Sequence, residues 1–83
     1  LEKKFAALVY EKLPEGSYDE AVEFFQNAIR IKPNEIRHHF WLAKTYHAMG
    51  NVKFSKEEFK IVISLIPKDQ EEKMMQKKSK RHL

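Results

Sequence analysis

The chain has 83 residues, 42% hydrophobic and 34% charged, with two glycines and three prolines, which allows one small domain and excludes a disordered or collagen-like chain. It has no cysteine and therefore no disulfide, and its longest apolar run, IVISLIP at 61–67, falls well short of the roughly 18 residues that argue for a membrane span. The net charge of +4 is uneven: residues 1–67 carry ten Lys/Arg against nine Asp/Glu, whereas residues 68–83 carry six against three.

In chain order, Leu1, Phe5, Leu8 and Val9 recur at helical spacing, which predicts a helix over 1–13 that Pro14 stops. The start LEKKFAAL has neither a signal-peptide order nor an initiator Met, so the chain reads as a piece of something longer, with an intracellular setting as the default. Gly16 permits a turn, and Ser17 is the expected N-cap of a second helix to about residue 31, with Asp19 and Glu20 suiting its dipole. Ala21, Phe25 and Ala28 share one face of that helix, and Pro33 ends it. Asn34 is placed to cap a third helix over about 35–49, with Ile36, Phe40, Leu42, Ala43, Tyr46 and Met49 as its apolar stripe and Gly50-Asn51 closing it. A fourth is expected over about 54–66, with Phe59, Val62, Leu65 and Ile66 inward. Beyond Pro67, KDQEEKMMQKKSKRHL is a polar helix, acid first and base last; only Met74 and Met75 could pack, so it is expected to be held by little and to fray.

One grammar occurs twice, 34 positions apart: Gly16 answers Gly50, Phe25 answers Phe59, Ala28 answers Val62, Pro33 answers Pro67, and Leu8 answers Leu42. With these residues the chain resembles the tetratricopeptide repeat, a helix–turn–helix unit. The second unit supplies Leu42, Ala43, Tyr46, Gly50, Ser55, Phe59 and Pro67, with His39 where Trp is usual. The first supplies Phe5, Leu8, Gly16, Ala21, Phe25, Ala28 and Pro33, and departs at Val9 and Lys12. The resemblance implies an all-α fold: two hairpins at 1–33 and 34–67, then a capping helix or tail at 68–83, together a fragment of an α-solenoid. A narrower likeness lies in LEKKFAALVYEKLPEGSYDEAVEFFQNAIRIKP: its Lys pair, its first helix ending in Tyr-Glu, and its proline turn before SYDEA. In this it looks like the C-terminal repeats of the regulator of microtubule dynamics family. That implies a cytoplasmic adaptor linked to microtubules, spindle poles or the mitochondrial surface.

No catalytic group is assigned. The adjacent acids Glu57–Glu58 and Glu71–Glu72 point about 100° apart on a helix and read as solvated faces, and no Gly-rich loop precedes a helix to cradle phosphate. No metal or cofactor is expected: His38, His39, His47 and His82 form no i, i+4 pair, and His39 is expected to pack at the repeat's large position. In tetratricopeptide proteins the first helices line a groove, and the matching positions here include Arg37, Phe40, Lys44 and His47. They suit an acidic peptide or a carboxylate, unless Phe40 is covered by a neighbouring helix. The chaperone-type carboxylate clamp needs Asn where Tyr10 and Lys44 stand, so that use is disfavoured. Lys77, Lys78, Lys80 and Arg81 form a second candidate, a cationic tail for an acidic protein surface such as a microtubule, or for an anionic membrane. Nucleic acid is disfavoured because the basic excess is confined to the tail and the aromatics are spent on packing. The oligomeric state stays open, and so does a purely structural role within a longer solenoid.

Overall fold

The computed structural model describes residues 15–83, and within them the chain is all-helical. The expected helix over 1–13, its Pro14 turn and Tyr10 lie outside the described residues. Four helices follow in order: α1 (Glu15–Ile31), α2 (Ile36–Ala48), α3 (Val52–Ser64) and α4 (Gln70–Lys80). α2 packs on α3 as an antiparallel hairpin, α1 packs on the other side of α2, and α4 lies against both α3 and α2. Among the described residues no helix is long and apolar enough to cross a membrane.

Two apolar clusters meet at α2. Ala21 and Phe25 of α1 pack with Leu42 and Tyr46, while Ile36, Phe40 and Ala43 pack with Phe59 and Val62 of α3 and Met75 of α4. Trp41 touches both clusters and joins them. The small residues Ala21, Ala43 and Ser55 are fully or almost fully buried, and they let the helices approach closely enough for the Phe25 and Phe59 rings to fill the gap.

The helix ends show which local chemistry prevails. Within the described residues α1 already includes Glu15, Gly16 and Ser17, so Ser17 lies inside the helix and is not its cap. Asn34 does not cap α2 either. Glu35 stands at the N-cap position without a side-chain cap, because its carboxylate is turned to Lys68 Nζ, which donates to it at 3.0 Å. The α2 C-terminus closes with Gly50 at φ +82, its N–H donating to the His47 carbonyl and that of Asn51 to the Tyr46 carbonyl. That pair of bonds is a Schellman motif, and the left-handed residue within it is the reason for glycine.

Asn51 then caps α3: its Oδ1 accepts from Phe54 N–H at 3.2 Å, so the helix begins at Val52, two residues earlier than expected. Asn51→Ala should cost about 1 kcal/mol in chemical denaturation, since it removes the cap without touching the core. At the other end Leu65 is already extended, and Ile66, which precedes Pro67, projects into solvent at 87% exposure instead of facing inward.

Candidate interaction surface

Arg37, Phe40, Lys44 and His47 share one face of α2, as their spacing requires, but that face is not an open groove because α4 lies along it. Phe40 is 2% exposed and meets Phe59 edge-on at 6.2 Å; it is core, and the expectation that it offers apolar area to a partner is corrected. Arg37 is likewise not a free cation. Its Nε donates to Glu71 at 3.1 Å, its Nη2 to Asp69 at 3.0 Å and also to Glu71, and its Nη1 to Glu72. The hydrogen bonds to Glu71 and then Asp69 push the guanidinium pKa above its ordinary value. Lys44 is half-buried, and the exposed His47 ring meets His82 edge-on at 4.9 Å.

The terminal helix is docked far more firmly than its composition suggests, and mostly by polar groups. Asp69 caps it, Oδ1 accepting from Glu72 N–H at 2.8 Å. Glu72 is wholly buried: one carboxylate oxygen accepts from the backbone N–H of Lys68 at 2.8 Å, and the other accepts from Arg37 and lies 3.3 Å from Lys68 Nζ. Gln76 Nε2 donates to the carbonyls of Val62 and Leu65 at 3.0 and 2.7 Å, satisfying acceptors that the end of α3 leaves open. Buried Ser79 returns its hydroxyl to the Met75 carbonyl. Beyond the helix the His82 ring stacks on Phe59, 4.3 Å between centroids and 7° between planes. Burial, and then the positive fields of His47 and Lys44, push His82 below the ordinary histidine value.

This docking sorts the charges of α4. Asp69, Glu71 and Glu72 are drawn to Arg37 and Lys68. Lys77, Lys78, Lys80 and Arg81 stay exposed at the C-terminal end, as does Lys73 near the start of the helix, which the tail reading missed; none of the five forms an ion pair among the described residues. Lys77, Lys78 and Arg81 flank Met74, 45% exposed, on one outward face. Sequence reasoning also missed the acids that hold Arg37, although a signal was present. Glu71 stands 34 positions after Arg37, so the two occupy equivalent places in successive units, and the structure brings these places side by side within hydrogen-bonding reach.

Among the described residues no group of three or more His, Asp or Glu side chains is arranged to hold a metal ion. The chain matches the family described as Regulator of microtubule dynamics protein 1-3 across residues 1–83. It is also similar to Superkiller protein 3 of Saccharomyces cerevisiae, 35% identical over 48 residues, which is 58% of this chain and 3% of that protein. No solved structure matches.

Proposed function

The chain belongs to the regulator of microtubule dynamics family, and on that premise we propose that it is a non-catalytic interaction module of tetratricopeptide type whose docking surface is the outer face of α4. The partner in this reading is an acidic protein surface, the exterior of a microtubule, which places the module in the cytoplasm, on microtubules or where they meet mitochondria. The observation that supports it is the sorting of charge on α4. With Asp69, Glu71 and Glu72 turned to Arg37 and Lys68, five cations and Met74 face outward, and among the described residues none of the five is paired with an acid. Such a field raises the rate of encounter with an acidic surface and discriminates against basic ones. Its reach falls from about 8 Å at physiological ionic strength to about 3 Å at 1 M salt.

The test is co-sedimentation with microtubules, using the full chain beside a variant carrying Lys77→Gln, Lys78→Gln, Lys80→Gln and Arg81→Gln. The four replacements leave Glu72, Met75, Gln76 and Ser79 in place, so the melting temperature should hold within a few degrees while the bound fraction drops severalfold. Added salt should release the native chain. Sedimentation that survives the four replacements, or that ignores salt, would remove this surface from the function. Binding to anionic vesicles but not to microtubules would assign the surface to a membrane instead.

A further inference from the structure

His39 is almost wholly buried where α2, α3 and the turn after α1 converge. Its Nδ1 lies 2.7 Å from Glu58 Oε1 on α3, and its Nε2 lies 2.6 Å from the carbonyl oxygen of Pro33 in the α1–α2 turn. A carbonyl can only accept a hydrogen bond, and so can an ionised carboxylate. Neutral imidazole carries one N–H, so it can satisfy one of these oxygens and must turn a lone pair on the other. Imidazolium carries two and satisfies both.

We propose that His39 is an imidazolium in the folded chain and that its second proton holds the joint between α1 and the α2–α3 hairpin, so that the joint loosens as pH rises. When the proton leaves, the remaining N–H stays with the Glu58 carboxylate, where charge makes the bond stronger. Nε2 then presents its lone pair to the Pro33 carbonyl, and the α1–α2 turn is what gives way. That turn sets how α1 seats Ala21 and Phe25 on Leu42 and Tyr46, which is the packing of one repeat on the next.

The surroundings agree on direction. Burial alone pushes the imidazole down, but the hydrogen bonds to Glu58 and to Pro33, joined by the Glu58 charge, push it up, and the net displacement is above the ordinary value of 6.5. Among the described residues Glu58 is the charged side chain that acts on the ring, and the other facing group is the uncharged Pro33 carbonyl. With the folded value above the unfolded one, the stabilisation is fully present below the unfolded value of about 6.5 and is lost as pH rises through the folded value.

The experiment follows the ring nitrogens of all four histidines by NMR across pH 5–9 in the full chain, with backbone amide protection factors measured at pH 6 and pH 8. His39 should keep both protons at a pH where His82 is already neutral, and protection should fall at Glu35, whose N–H donates to the Lys32 carbonyl within that turn, while the α3 amides hold theirs. Glu58→Gln should lower the His39 midpoint and flatten the fall in melting temperature between pH 6 and pH 8, because a glutamine amide can donate as well as accept. A His39 that titrates together with His82 would overturn the proposal, as would a melting temperature with the same pH slope in Glu58→Gln.

Discussion

Phe59→Ala is expected to lower stability by about 3–5 kcal/mol, a large part of the 5–15 kcal/mol that a natural domain has in total. The ring is fully buried and closes the hairpin from the α3 side, with Val62 in its own helix and Ile36, Phe40 and Ala43 opposite. Its loss has a second consequence, because the His82 ring lies flat on Phe59 and secures the last turn of α4. A cavity at this point therefore weakens both the hairpin and the seat of the terminal helix. Thermal and chemical denaturation followed by circular dichroism should show the loss, with weakened protection of the C-terminal amides of α4. Phe24→Ala is the comparison: that ring is only half-buried against Phe25, and its truncation should cost clearly less. A Phe59→Ala chain that melts within a degree or two of the native one would mean that the second hairpin is not built on this ring.

How much of this was legible in the sequence depends on whether the signal was apolar. Ala21, Phe25, Ala43, Phe59 and Val62 announce themselves through helical spacing and a 34-residue period, and all five are buried. Gly50 is legible too, because only a left-handed C-cap asks for glycine at that point. Helix starts are less so. Asn34 and Asn51 look alike as caps, yet only Asn51 caps; α2 starts one residue later, with Glu35 at its N-cap position and its carboxylate claimed by Lys68, a residue 33 positions away that no local rule can see.

The face of α2 shows the same limit. Spacing places Arg37, Phe40, Lys44 and His47 together, but it cannot say whether water or another helix lies over them. Hydrophobic patterning counts only Met74 and Met75 on α4 and on that ground leaves the helix nearly undocked. Its attachment runs through Glu72, Gln76 and Ser79, whose polar groups are satisfied by tertiary partners or by the preceding turn of the helix.

The consequence is largest at Arg37. Read as one of four side chains on an open face, it should be replaceable at no cost in stability; in the structure its removal unlatches a helix. Glu72 is fully buried with its charge, and Arg37 Nη1 supplies one of its hydrogen bonds. Breaking a buried ion pair from one side costs about 3–5 kcal/mol, because the other charge is left behind in a poor solvent. Lys68 remains, through its backbone N–H and its ammonium group, so the loss in Arg37→Ala should sit at the lower end, about 3 kcal/mol. Arg37→Lys should recover only part of it, since an ammonium cannot reach Asp69, Glu71 and Glu72 at once in the forked geometry that the guanidinium uses.

Acid should act on the same latch. Asp69 is held below the usual carboxylate value first by the Glu72 N–H and then by Arg37, and Glu35 is held below it chiefly by Lys68. For groups depressed in the folded state, the stabilisation is present above the unfolded value and is lost as pH falls through the folded one. The start of α4 should therefore loosen in acid, while the joint at His39 loosens in base. Hydrogen exchange at residues 72–79, read beside the melting temperature, separates the outcomes for Arg37→Ala. Faster exchange with a lower melting temperature is expected, whereas unchanged values for both would show that Glu72 is satisfied without Arg37 and that α4 is held by Met75, Gln76 and His82 alone.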